Sequence, residues 1–337
     1  MYEAILWEKM ENHTVRCQLC HQSCVIKEGQ RGFCGVRLNR QGKLYSEVYG
    51  QLIAENVDPI EKKPFYHFLP GSLSYSIATV GCNFACTFCQ NAEISQAPKE
   101  RHWPTHEKFV PPEKVIQQAQ AANCLSISYT YTEPTIFLEY ALKVARLAKE
   151  KGLKNNFVTN GYMSQQALEL LAPVLDAANV DLKGDDSFYR RLCHARQQPV
   201  VENIRRMKKL GIWVEVTTLI IPGENDNEKL LGQLAETLVS ISPEIPWHLS
   251  RFFPMYRLLD RGPTPVATIT AARQIGFQAG LQYVYTGNIP GDEGENTYCH
   301  KCHQLLIRRR GYSISRVGLS RNRCAVCGAT VPGLLFS

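Results

Sequence analysis

The chain has 337 residues, 44% of them hydrophobic, a formal net charge of +7 and 13 cysteines. This composition excludes a disordered chain and provides for one sizeable core plus small modules. No stretch reaches the roughly 20 apolar residues of a membrane-spanning helix, and the start Met1-Tyr2-Glu3-Ala4-Ile5-Leu6-Trp7-Glu8 lacks the basic residue and long apolar run of a secretory signal, so a cytoplasmic location without membrane contact is expected. Cysteines in that compartment point to metal ligation rather than disulfides.

Residues 1–70 form a first, cysteine-bearing segment. Cys17, Cys20, Cys24 and Cys34 follow one another closely, and Gly32 and Gly35 flank the last of them with the backbone freedom of a metal knuckle. Four thiolates read as one closed site whose ion or cluster folds a segment too small for its own core; zinc or an auxiliary iron–sulfur cluster fits. His21 beside a ligand reads as a surface histidine.

Residues 71–290 form the second region. Ser74-Tyr75-Ser76-Ile77-Ala78-Thr79-Val80 is β-branched and aromatic enough for a strand, and Gly81 then opens a loop carrying Cys82, Cys86 and Cys89 in a C-x3-C-x2-C array. Three thiolates from one loop can hold three corners of a [4Fe-4S] cluster, and no fourth cysteine follows within reach, so one iron stays open to another ligand. Three buried or zinc-binding cysteines are the bland alternative.

Strand-like and helix-like segments then alternate. Helices are expected from Pro111 to about 122, from Pro134 to Gly152, over 164–171, 201–210, 228–239 and 271–279; strands are expected over 125–130, 156–159, 178–182, 213–220 and 247–253. Six βα units predict an α/β fold, a partial (β/α)6 barrel of the TIM type. Chemistry in such folds sits just past the strands, which draws attention to Thr132-Glu133-Pro134, Asn160-Gly161, Asp181-Leu182-Lys183 and the turn Ile221-Pro222-Gly223-Glu224-Asn225-Asp226. Glu133 also suits a helix N-terminus, and Asp181 with Lys183 a plain ion pair. His248 reads as a core or lining residue, and Cys124 and Cys193 as buried thiols.

Residues 291–337 form a third module. Cys299, Cys302, Cys324 and Cys327 make two C-x2-C knuckles of a zinc-ribbon or rubredoxin-like site for zinc or iron. From 299 onward Lys301, Arg308, Arg309, Arg310, Arg316, Arg321 and Arg323 face no acidic residue in sequence. With no aromatic ladder beside them, they read as a solvated or partner-facing surface in preference to a nucleic-acid site.

The loop 81–91, with the aromatic Phe88 before its last cysteine, resembles the signature of the radical S-adenosylmethionine (radical SAM) superfamily. The resemblance implies that S-adenosylmethionine chelates the open iron through its amino and carboxylate groups, that reductive cleavage yields a 5′-deoxyadenosyl radical, and that this radical removes a hydrogen atom from a substrate. It also implies an electron donor of the flavodoxin or ferredoxin type. Tyr131-Thr132-Glu133-Pro134 occupies the place of the family's Gly-Gly-Glu-Pro motif, with both glycines replaced. The Asn160-Gly161 and Asp181-Leu182-Lys183 runs are similar to those of glycyl-radical-enzyme activases such as the pyruvate formate-lyase activating enzyme. On that likeness Phe88, Thr132, Glu133, Asn160, Asp181 and Lys183 would border S-adenosylmethionine, Lys183 meeting its carboxylate, and 221–226 would border the adenine. Taken with the terminal cysteines, nearly the whole chain resembles the radical SAM member of the AmmeMemoRadiSam system, whose companions are a Memo-like and an AMMECR1-like protein. An activase that installs a glycyl radical, and a metal-binding RNA module, are the competing readings.

Overall fold

A computed structural model describes residues 1–100 and 109–333; the last residues of the C-terminal module lie outside this range. Strands β1 (Ala54–Pro59), β2 (Leu73–Ala78), β3 (Ser126–Tyr129), β4 (Lys154–Thr159), β5 (Ala177–Asp181), β6 (Trp213–Ile220), β7 (Trp247–Arg251) and β8 (Val284–Gly287) form one sheet in chain order. β1 runs antiparallel to β2, and every later neighbour is parallel. Helices α1 (Pro112–Ala121), α2 (Leu138–Glu150), α3 (Gln165–Leu171), α4 (Gln197–Lys209), α5 (Glu228–Ile241) and α6 (Val266–Ala279) connect the parallel strands. The result is the α/β partial barrel, six βα units closed by a seventh parallel strand.

Local sequence explains these boundaries. Ser164 caps α3 by accepting the Ala167 amide at 3.2 Å, and Asn227 caps α5 by accepting the Leu230 amide at 2.9 Å. Gly280, at φ +108°, ends α6 in the left-handed conformation that suits a helix C-terminus. On α2, Leu138, Ala141, Val144, Ala145 and Ala148 recur at helical spacing and are buried. Each large side chain so placed contributes about 1.5–3 kcal/mol, and Val144→Asp would break that contact.

Strand parity sorts the rest. Ala178, Val180, Val214 and Val216 join the large core with the helices, whereas Ala177 joins a separate cluster with Ile60, Phe65, Phe68 and Leu69. The segment 60–69 therefore lies against the inner face of the barrel. The buried Glu215 holds it there, accepting the Tyr66 and His67 amides at 2.9 Å each and His248 Nε2 at 2.7 Å. His248 is thus a core residue.

The N-terminal segment makes two small sheets, Tyr2–Glu3 with Lys43–Ser46 and Arg37–Arg40, and Trp7–Lys9 with Val15–Cys17 and Val25–Ile26. It docks on α2 through the buried pair Arg37–Glu139 at 2.9 Å. The C-terminal module is a short sheet of Thr297–Tyr298, Leu305–Arg310 and Ser313–Arg316. Here the basic run departs from a uniformly solvated surface. Arg309 is 3% exposed, donates to the Thr297 hydroxyl at 2.8 Å and the Tyr66 carbonyl at 2.8 Å, and stacks its guanidinium 4.0 Å from the Tyr66 ring. Among the described residues no helix is long and apolar enough to cross a membrane.

Candidate active site and cysteine centres

The loop following β2 carries Cys82, Cys86 and Cys89 to the C-terminal ends of the strands. All three line a cavity of about 490 Å³ with Phe88, Thr132, Glu133, Asn160, Asp181 and Lys183. That volume falls in the range of small-molecule sites. Its wall also includes Lys62, Lys63, Thr217, Leu219 and Tyr312, residues that sequence reasoning passes over. Thr217 and Leu219 share strand parity with the inward Glu215, which is the signal that could have marked them; Lys62, Lys63 and Tyr312 come from the flanking segments and carry no such signal.

Several contacts fix the loop. The Phe84 amide donates to Cys82 Sγ at 3.3 Å, and Cys89 Sγ lies 3.1 Å from the Ser95 hydroxyl. The amides of Ala85 and Thr87 donate to the carbonyls of Cys193 and Leu192, each at 3.0 Å. Those two residues end the π-helical turn Tyr189–Cys193, a local irregularity of the kind found at functional sites. Cys193, read from sequence as an isolated buried thiol, is fully buried and close enough to Cys86 to raise its thiol's pKa. It is not among the residues lining the cavity.

Burial pushes the Cys82 and Cys89 thiols above the ordinary cysteine value, and the Cys193 contact together with burial does the same for Cys86. Binding a metal here must displace protons, and cations stand ready to balance the thiolates. Lys183 Nζ bonds Asp181 at 2.7 Å, and although burial opposes its charge, Asp181 and the Cys86 and Cys193 thiols hold its pKa well above the usual lysine value. The Lys99 ammonium lies within electrostatic reach of Cys82, Cys86 and Cys89.

Glu133 is buried and fully engaged. One carboxylate oxygen accepts the Thr135 amide at 3.0 Å, the Thr135 hydroxyl at 2.5 Å and the Thr159 hydroxyl at 2.8 Å, while the other accepts the Asn160 amide at 2.8 Å. It is an N-cap that ties the loop after β3 to the loop after β4. Tyr131, in a glycine position of the motif, takes φ +63°, a left-handed conformation that costs a non-glycine residue about 1–2 kcal/mol. Its hydroxyl bonds Asp58, Lys63 Nζ sits 4.2 Å from its ring, and its carbonyl accepts Asn91 Nδ2 at 2.7 Å. Tyrosine thus occupies the glycine conformation with compensating contacts. The turn 221–226 does not line the cavity; Asn225 closes it internally, accepting the Ile221 amide at 2.6 Å and donating to the Lys183 carbonyl at 2.6 Å.

The C-terminal quartet gathers tightly. Cys299, Cys302, Cys324 and Cys327 place all four sulfurs within 4.8 Å of one another, with Cys299–Cys327 and Cys302–Cys324 both 3.6 Å apart. A tetrahedral ion with bonds of about 2.3 Å to sulfur spaces its ligands about 3.8 Å apart, so the donor set fits one ion of zinc or iron type. Cys17, Cys20, Cys24 and Cys34 share a second, small cavity.

Comparison with known proteins agrees with this geometry. The radical SAM superfamily model matches residues 76–234. The uncharacterized protein MJ0808 of Methanocaldococcus jannaschii is 45% identical over 98% of this chain and 99% of its own length. A putative glycyl-radical enzyme activating enzyme of the same organism, MJ1227, is 24% identical over 48% of this chain and 67% of that one. Among solved structures, Streptococcus suis SuiB bound to precursor peptide SuiA superposes with a TM-score of 0.51 at 13% identity, covering 69% of this chain and 52% of SuiB, a likeness of fold. The chain belongs to the radical SAM superfamily. It is an enzyme that cleaves S-adenosylmethionine reductively, and a [4Fe-4S] cluster and S-adenosylmethionine are the cofactors expected of that class.

Proposed function

We propose that Cys82, Cys86 and Cys89 hold the [4Fe-4S] cluster and that S-adenosylmethionine fills the cavity beside them, in an enzyme that abstracts hydrogen from a protein or small-molecule substrate. The observation that carries this reading is that three thiols of one loop line a single cavity of about 490 Å³ in which, among the described residues, no fourth cysteine takes part. When bound, the cluster and its cosubstrate supply one-electron cleavage of a sulfonium bond and a carbon radical. The chain supplies the rest. Lys183, held by Asp181, offers a fixed ammonium to the methionyl carboxylate, and Asn160 and Thr132 add polar contacts. Phe88 and Leu219 exclude water. Glu133 acts as a positioning residue, since its accepted hydrogen bonds lock the two loops that carry Thr132 and Asn160.

In this reading residues 71–290 carry the chemistry, and 1–70 and 291–337 are metal-bearing modules, the latter with zinc or iron at Cys299, Cys302, Cys324 and Cys327. The resemblance of the sequence motifs to the AmmeMemoRadiSam enzyme makes Memo-like and AMMECR1-like proteins the partners to test, with a flavodoxin or ferredoxin as reductant. Anaerobic incubation of reduced, cluster-loaded protein with S-adenosylmethionine should release 5′-deoxyadenosine, with Cys86→Ala at background. Product no higher than that variant's would reject the proposal. The similarity to MJ1227 supports a second reading as a glycyl-radical activase; it requires an organic radical signal in a co-incubated partner protein that disappears without this chain.

A further inference from the structure

The cavity beside the three-cysteine loop has five charged side chains in its wall, Lys62, Lys63, Glu133, Asp181 and Lys183. Three of them are already matched. Glu133 is engaged by its four hydrogen bonds, and Asp181 and Lys183 neutralise each other at 2.7 Å. Lys62 and Lys63 remain, and both come from the segment folded against the inner face of the barrel.

These two ammoniums share one carboxylate. Lys62 Nζ meets Asp58 Oδ1 at 2.8 Å and Lys63 Nζ meets Asp58 Oδ2 at 2.7 Å, and the Tyr131 hydroxyl also donates to Oδ2. Although burial opposes it, these bonds hold the Asp58 carboxyl well below the usual carboxylate range. Asp58 is not among the residues lining the cavity. Two cations against one anion leave a positive charge in excess on this part of the wall.

Hydrogen-bond donors are in excess there as well. An ammonium has three donors and no acceptor. Among the described residues Asp58 is the oxygen acceptor of each, and Lys63 adds the Tyr131 ring at 4.2 Å. The Lys63 side chain is 3% exposed, and burial pulls its pKa below the usual lysine value against the bond to Asp58. A buried ammonium with an unused donor on a cavity wall is matched by an anionic oxygen of a ligand, through a charge-assisted hydrogen bond. The neighbouring hairpin carries the same sign. Tyr312 at its tip lines the cavity, and Arg308 and Arg310 are exposed on the strand that leads to it.

We infer that Lys62 and Lys63 receive an anionic group of the substrate, a carboxylate or a phosphate, which makes the substrate an acidic one. This rests on the reading of the cavity as the S-adenosylmethionine site, and its test needs no turnover. Full-length, cluster-loaded protein saturated with S-adenosylmethionine is titrated calorimetrically with inorganic phosphate and, separately, with glutarate, at constant ionic strength against a chloride blank. One probe or both should bind above the blank, and Lys62→Met and Lys63→Met should each weaken that binding about tenfold or more. Phosphate alone marks a phosphoryl group as the ligand, and glutarate alone a carboxylate. Neither probe binding above chloride, or binding indifferent to both variants, would overturn the inference. A tenfold loss of S-adenosylmethionine affinity in the variants would also overturn it, by assigning the two cations to the cosubstrate. Should Lys63→Met not fold, Lys62→Met decides alone, since that side chain is 44% exposed. Parent protein that binds no S-adenosylmethionine would strike the underlying reading, and the inference with it.

Discussion

The cavity beneath the three-cysteine loop and the C-terminal knot use the same ligand chemistry to opposite ends. In the knot four sulfurs close on one another, with pairs at 3.6 Å, and Cys299 and Cys324 are buried. In the loop three thiols border open space shared with an aspartate–lysine pair. Four converging donors leave an ion nothing further to bind and make it a fold element, whereas three donors on a cavity wall leave a coordination site for chemistry.

The comparison can be broken most severely at the knot. A structural zinc contributes about 10 kcal/mol or more to the folding of a zinc-finger peptide, so Cys324→Ala should release one metal ion, lower the melting temperature and unfold the hairpin around it. Cleavage of S-adenosylmethionine should persist, and its loss alongside the ion would show that the two regions are not separable. A smaller effect belongs to the cavity. Lys183→Ala removes a charge-assisted contact worth about 1.5–3 kcal/mol, so S-adenosylmethionine should bind roughly 10- to 100-fold more weakly by equilibrium dialysis, with iron content unchanged. Equal affinity would reduce the Asp181–Lys183 pair to a structural role. The smallest change is expected at Cys193→Ala. Iron content and 5′-deoxyadenosine yield should match the parent chain; a loss of iron would make Cys193 a ligand and close the coordination site that the loop leaves open.

The six βα units are legible in the sequence because β-branched runs and amphipathic helices alternate, two of the helices behind the capping residues Ser164 and Asn227. β1 is not, since Ala54-Glu55-Asn56-Val57-Asp58-Pro59 is an edge strand with mostly exposed, polar side chains and no apolar period. The inward segment 60–69 is hidden for another reason: its partners Glu215 and His248 lie far away in sequence, and only the barrel's curvature brings them together. At the cavity, the cysteines announce themselves within one loop. Tyr131 does not, because its left-handed backbone depends on Asp58 and Lys63, which belong to the N-terminal part of the chain. The Cys86–Cys193 contact is invisible for the same reason.

Tyr312, at the tip of the C-terminal hairpin, forms part of the cavity's wall, while Arg309 in the preceding strand is sunk against Tyr66 on the barrel's inner side. One side chain of the cavity wall is therefore carried by the C-terminal module, outside the sheet that bears the three-cysteine loop. A change in that hairpin can therefore reshape the cavity without touching any of the three cysteines.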